Sequence, residues 1–175
     1  VGTAIAEFER HFFKSNQSPY DKFLRGDVEA LDEQSLRGFI VYAGKGRCVT
    51  CHLGPHLSNF QFDSSGAPQI GLAEHFTDRG RQEVTNKPKD KFMFKTPGLR
   101  NIALTAPYMH SGSLKDLREV VEHYDHIEKT LADYILAPEL AAFYNDTIGY
   151  DNDKERNAVR LVQVEGSPFI VGLGL

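Results

Sequence analysis

The chain contains no tryptophan, two cysteines and two methionines among its 175 residues. No apolar run approaches the ~18 residues that a membrane-spanning helix needs, so no transmembrane segment is expected. The two cysteines stand close together, and a zinc site built on them would lack its second pair. Charge of one sign is also scarce, since the formal net charge is only −4. That mild balance argues against nucleic acid as a partner. There is no signal peptide, and the chain opens directly in a helical pattern, as a mature product or a fragment would.

What is present is the balance of a globular protein, 41% hydrophobic and 25% charged. The expectation is one domain over residues 1–175, large enough to bury a core and a flat cofactor. Twelve phenylalanines and seven tyrosines provide aromatic material to line such a cofactor. Both cysteines fall in Cys48-Val49-Thr50-Cys51-His52. Two cysteines three apart with a histidine directly after them form the attachment sequence for c-type haem. Each thiol can add across one vinyl group, and the turn between them sets the histidine beneath the iron. His52 is then the proximal ligand, with its other ring nitrogen expected to be held by a hydrogen bond. A thioredoxin-like dithiol does not need the histidine, and no βαβ pattern surrounds the motif. With both thiols assigned to haem, cysteine usage says nothing further about redox compartment. Attachment of c-type haem normally follows export, so a periplasmic or otherwise exported location is expected.

Apolar residues Ile5, Phe8, Phe12 and Phe13 predict an amphipathic helix over 2–13. Residues 15–26 read as a polar loop around Pro19-Tyr20-Asp21. A second helix is expected from Asp32, a candidate N-cap, carrying Leu36, Phe39, Ile40 and Val41. It should end at Gly44-Lys45-Gly46, glycines suited to a left-handed C-cap, and deliver Cys48 to the porphyrin edge. Residues 53–104 are punctuated by glycine and proline and read as loops wrapping a cofactor. Ser113, with Asp116 three residues on, predicts a helix start, and Leu114, Leu117, Val120, Val121 and Tyr124 predict its buried face. Further on, Pro138 opens a candidate short helix to Phe143, residues 153–164 form a candidate last helix, and the tail 166–175 is apolar. The Asp151-Asn152-Asp153-Lys154-Glu155 run lacks the EF-hand glycine and reads as a polar turn. No internal repeat or low-complexity segment is present.

An electron-transfer haem needs a second axial ligand, and Met93, Met109 and the histidines other than His52 are the candidates. Met109 lies in Ala106-Pro107-Tyr108-Met109-His110-Ser111-Gly112, a loop that starts with proline and ends with glycine. A thioether held there could meet the iron and raise its potential, although a lone methionine is usually core filler. Met93, between Phe92 and Phe94, suggests packing, while His110 is a rival from the same loop. His56, His75, His123 and His126 fit surface or hydrogen-bonded structural roles better than ligation.

The stretch from Phe94-Lys95-Thr96-Pro97-Gly98-Leu99-Arg100-Asn101 through Ala106-Pro107-Tyr108-Met109-His110-Ser111-Gly112 strongly resembles the bacterial di-haem cytochrome c peroxidase and MauG family. Residues 48–55, Asp78-Arg79-Gly80-Arg81-Gln82-Glu83-Val84-Thr85, the helix ending in His123-Tyr124, and the upstream Pro19-Tyr20-Asp21 and Leu24-Arg25-Gly26-Asp27 segments do so too. The likeness covers residues 1–126, with 127–175 a weakly matched helical extension and tail. It is to the family's C-terminal domain, whose haem carries histidine and methionine, and it transfers the distal role to Met109. In MauG a tyrosine holds that position, so the methionine resembles the peroxidase arrangement. Arg79, Arg81 and Arg100 sit in these motifs and could fork onto haem propionates, or simply brace loops. The resemblance also implies calcium at an interface with another domain, partly through backbone carbonyls before Phe94.

The sequence departs from the family in three places. Only one Cys-x-x-Cys-His is present, so the N-terminal haem domain is not in this chain. Phe62-Asp63 stands where the family often has a histidine after the phenylalanine. The segment after Tyr150 matches weakly. The expected fold is therefore a mostly α-helical, loop-rich c-type cytochrome domain wrapped around one covalent haem. The expected function is to relay electrons from a small donor protein to a peroxide-reducing haem on a second domain or subunit. With both axial positions filled, this chain alone is not expected to be catalytic. The alternatives are a stand-alone mono-haem carrier, a cytochrome subunit of a larger redox complex, and a MauG-like oxidising enzyme.

Overall fold

A computed structural model describes residues 1–12, 17–68 and 78–133. The expected elements at Pro138, at 153–164 and at 166–175, together with Phe13, His75 and the 151–155 turn, lie outside the described residues. Internal contacts group the chain into two compact units, Val1–Val49 and Thr50–Leu175.

The first unit is helical. Helix α1 (Gly2–Phe12) forms as its apolar spacing predicts, but none of its residues is buried; Phe8 and Phe12 pack on each other with ring centroids 4.6 Å apart. The segment expected to be a loop contains a helix, α2 (Pro19–Leu24). Its cause lies in Ser18 and Asp21. The Ser18 hydroxyl accepts from Asp21 N, the Asp21 carboxylate accepts from Ser18 N, and Pro19 fills the first helical position. This is a capping box closed by aspartate, with a proline whose missing N–H costs nothing there. Helix α3 (Glu33–Ala43) starts as expected, with Asp32 accepting from Ser35 N at 2.7 Å. Its Phe39 ring centres an aromatic cluster with Tyr20, Phe23 and Tyr42.

The end of α3 corrects the C-cap expectation. Gly44 has φ −100°, outside the left-handed region, which is taken instead by Arg47 at φ +55°. The glycines serve close approach: a Cβ on Gly44 would lie 2.7 Å from the Ile40 carbonyl oxygen, and one on Gly46 2.7 Å from that of Val41. Gly46 N donates to Val41 O as the chain tightens. A 3-10 turn, Cys48–Thr50, follows.

Among the described residues of the second unit, loops prevail, as the glycine and proline punctuation over 53–104 predicts, and the regular pieces are short. Strands β1 (Phe62–Asp63) and β2 (Phe94–Lys95) pair antiparallel, with Phe62 opposite Lys95 and Asp63 opposite Phe94. Between them lies helix α4 (Gln82–Thr85). Met93 bridges back to Gly80, and its carbonyl accepts from Arg81 N.

Helix α5 (Leu117–Asp125) begins later than expected. Asp116, not Ser113, is the N-cap, accepting from Glu119 N at 2.9 Å. Leu114 cannot be helical because its N–H and C=O are both spent on an antiparallel bridge to Tyr108. The buried face also differs from the expected one. Val121 is 61% exposed, contrary to expectation, while His123 is fully enclosed. Helix α6 (Ile127–Asp133) follows, and Ile127 and Leu131 are buried with Ala67, Phe92 and Leu114. Gly66 has φ +61°, and a Cβ there would meet the Ile127 side chain at 2.9 Å, so this loop must pass α6 without a side chain.

Candidate functional site

His52 opens a loop that closes on itself. Its Nδ1 lies 3.0 Å from the Leu57 carbonyl oxygen. A carbonyl can only accept, so Nδ1 carries the proton and Nε2 is the lone-pair nitrogen. The loop is shaped to bring that carbonyl round. Leu57 N donates to Gly54 O, Ser58 N to Leu53 O, and Asn59 N to Cys51 O, while Gly54 and Leu57 take positive φ.

The far side of the loop is sewn to the strand beyond it. The buried Ser58 hydroxyl accepts from Phe60 N and donates to Thr96 O at 2.7 Å. Thr96 N donates to Gln61 O, and its hydroxyl donates to the Asp63 carboxylate at 2.6 Å. Gly98 lets this strand approach, since a Cβ there would stand 2.8 Å from the His56 carbonyl oxygen. Arg100 Nε donates to Pro55 O.

Both cysteines are thiols and partly exposed. The Cys48 Sγ lies 3.5 Å from Gly46 O, and burial holds that thiol above its ordinary pKa.

Met109 sits in the second unit, as His52 does, with left-handed backbone at φ +66°. Its loop is held on both sides. Tyr108 pairs with Leu114 and donates its hydroxyl to Ile102 O at 2.6 Å, and Ser111 Oγ donates to Pro68 O at 2.9 Å. Gly112 N closes the turn onto Met109 O. The rival ligand from the same loop, His110, is engaged elsewhere. Its ring lies face to face with Phe94, centroids 3.7 Å apart at 17°, and its Nε2 is 3.7 Å from the Asp78 carboxylate. Burial pushes its pKa down, partly offset by Asp78.

The three arginines differ. The Arg81 guanidinium lies 4.0 Å over the Phe62 ring and its Nε 3.5 Å from the Asp90 carboxylate, which is the geometry of a brace between segments. Arg79 is exposed, with its backbone tied to Glu83 and Phe92. Arg100 is half-buried beside the His52 loop. His56 packs near Phe60, and His126 Nε2 lies 3.3 Å from the Asp125 carboxylate.

The sequence suggested a surface or hydrogen-bonded structural role for His123, and the structure shows the second. Its Nε2 donates to Ser65 O at 2.8 Å, and burial holds its pKa below the ordinary 6.5. Its position in the His123-Tyr124 ending was visible, but its complete enclosure was not.

Among the described residues, no group of three or more His, Cys, Asp or Glu side chains could hold a metal ion. No described helix is long and apolar enough to cross a membrane. The donor set is instead one imidazole and one thioether on separate loops of the second unit, with the two thiols preceding the imidazole in the Cys-x-x-Cys-His sequence. Leu53, Phe60 and Leu104 present exposed apolar surface in the same unit. Thiols, a pre-oriented imidazole, a thioether and apolar side chains suit a covalently attached porphyrin.

No protein-family model matches the chain. It is 36% identical over 134 residues to the cytochrome-c peroxidase IdrP2 of Denitromonas iodatirespirans, covering 63% of this chain and 36% of that protein. It is 36% identical over 126 residues to the methylamine utilization protein MauG of Methylophilus methylotrophus, covering 71% of this chain and 36% of that one. A solved structure described as a MauG-like protein associated with microbial copper homeostasis superimposes with a TM-score of 0.56 at 37% identity. That match covers 63% of this chain and 38% of the other. The chain thus spans about a third of the length of the curated relatives it matches.

Proposed function

Because this chain belongs to the cytochrome c peroxidase and MauG family, we propose that it is the haem c electron-transfer domain of such an oxidoreductase. Cys48 and Cys51 would hold the ring through thioethers, and His52 Nε2 would supply the proximal ligand. Bound there, the haem supplies one-electron exchange at its iron. The observation that carries the reading is the bond from His52 Nδ1 to Leu57 O within a Cys-x-x-Cys-His sequence. It fixes the tautomer that a ligating imidazole needs and holds the ring in place before any ligand arrives.

Met109 is the distal ligand in this reading. The commitment of the His110 ring to Phe94 supports methionine over its neighbour. With His52 and Met109 both holding the haem, this chain alone would be a poor peroxidase. Its role would then be to take electrons from a small donor protein for a peroxide-reducing haem on a second domain or subunit. Arg100, beside the His52 loop, is the arginine best placed for a propionate. Arg81 braces Phe62 and Asp90, and Arg79 is retained only as an exposed candidate. The calcium reading rests on backbone carbonyls before Phe94 and on a partner domain. The working location is the periplasm or another exported compartment.

Spectra and a haem count of the holoprotein test this. The expected result is one haem on this chain with methionine ligation that Met109→Ala removes. Unchanged axial ligation in that variant would show the methionine assignment to be wrong. Two haems on the full-length polypeptide support the peroxidase reading, whereas one favours a stand-alone carrier or a cytochrome subunit.

A further inference from the structure

Resting on the reading of Met109 as the distal ligand, we propose that the stack of His110 on Phe94 is the contact that positions the methionine. In this proposal β2 and its next residue form a common anchor for both sides of the site. Met109 occupies the left-handed region at φ +66°, where a non-glycine residue stays only if its surroundings hold it. The bonds of Tyr108 to Leu114 and Ile102 and of Ser111 to Pro68 hold the loop at its shoulders. His110, adjoining Met109, has a side chain that reaches β2. Its ring stacks on Phe94 with centroids 3.7 Å apart at 17° and is only 22% exposed.

Phe94 is itself fixed by pairing with Asp63. Two residues on, Thr96 takes the Ser58 hydroxyl on its carbonyl and returns bonds to Gln61 and Asp63. The His52 loop is therefore bonded to Thr96 and the Met109 loop is stacked on Phe94, on one short extended segment. A ligand pair needs its two donors held within a few tenths of an ångström of a working distance, and support from locked neighbours supplies that. His110 acts through Met109 and is a positioning residue.

The test uses the haem-loaded full chain and compares natural protein, His110→Ala, His110→Phe and Met109→Ala. The readouts are the long-wavelength charge-transfer band of methionine-ligated ferric haem and the reduction potential, with circular dichroism and haem content as folding controls. His110→Ala should lose or weaken the band and shift the potential down towards that of Met109→Ala. His110→Phe keeps a ring on Phe94 and should retain both. If His110→Ala fails to load haem, Phe94→Leu carries the same expectation. An unchanged band and potential in the ring-deleting variant that loads haem overturn the proposal. Failure of His110→Phe to rescue overturns the stacking role and turns attention to Asp78. Absence of the band in the natural protein is a separate result, which overturns the Met109 ligand reading beneath it.

Discussion

The His52 loop and the Met109 loop carry the two candidate ligands, and the balance of local and distant bonds differs between them. The His52 loop is bonded at its far side to Thr96 and Arg100, but the part that holds the ring is built locally. Cys51, Leu53, Gly54, Leu57, Ser58 and Asn59 bond to one another within a few residues, and the ring nitrogen is held by a carbonyl five residues away. The Met109 loop depends on distant partners: Ser111 reaches Pro68, and His110 rests on Phe94 and lies near Asp78. Local bonds are dictated by short motifs, whereas distant ones exist only once the chain has folded. The histidine side should therefore tolerate disturbance elsewhere in the unit better than the methionine side.

The largest expected effect comes from removing the chemistry of the histidine side altogether. Replacing Cys48 and Cys51 together by serine should abolish covalent haem, read by haem staining after denaturing electrophoresis. Stain retained by the double variant would break the attachment assignment.

Next are two serines that compare the loops directly. Ser58→Ala strips a buried hydroxyl from both Phe60 N and Thr96 O and should cost about 1–3 kcal/mol. Ser111→Ala removes one part-buried bond to Pro68 and should cost about 0.5–1.5 kcal/mol. Denaturant titration of both variants orders them, and a larger loss for Ser111→Ala would reverse the comparison.

A smaller, pH-dependent effect is expected where α5 meets the Ser65 segment. Burial keeps His123 below the ordinary 6.5, so between that value and its lower folded value the unfolded chain binds more protons. Its contribution is fully present above pH 6.5 and is lost as pH falls through that window. Melting temperatures should drop as pH falls through 6.5 towards the lower folded value. His123→Gln, whose amide can still donate to Ser65 O, should show a smaller drop, and an equal drop in both proteins would sink the assignment. The smallest effect is at Lys115, whose pairing with Glu119 lies at the surface. Lys115→Ala should leave the denaturation midpoint unchanged within error.

The places where expectation and structure part follow the same division. The helix at Asp32 was legible because its cap bonds to a residue three away. The helix at Pro19 was equally local, but its signal, Ser18 with Asp21, was obscured by a proline read as a loop marker. The glycines after α3 were visible, yet their reason was contact with the Ile40 and Val41 carbonyls, which appears only when the turn is built. The shift of the α5 start from Ser113 to Asp116 came from Leu114 pairing with Tyr108, a contact across a loop. The exposure of Val121 and the enclosure of His123 likewise depend on packing against the Ser65 segment, which lies far away in the chain.

By itself the sequence determined the chemistry on offer: two thiols and an imidazole in attachment spacing, a methionine in a proline–glycine loop, and loops suited to wrapping a cofactor. These follow from residue type and short spacing, which need no fold to read. The tertiary structure decided the nitrogen of His52 that carries the proton, the engagement of His110 with Phe94, the bracing of Phe62 by Arg81, and the histidine enclosed in the core. The His52 bond closes over only five residues but needs the loop built to bring Leu57 O round. The other three depend on partners far apart in the chain, through contacts that no local pattern encodes.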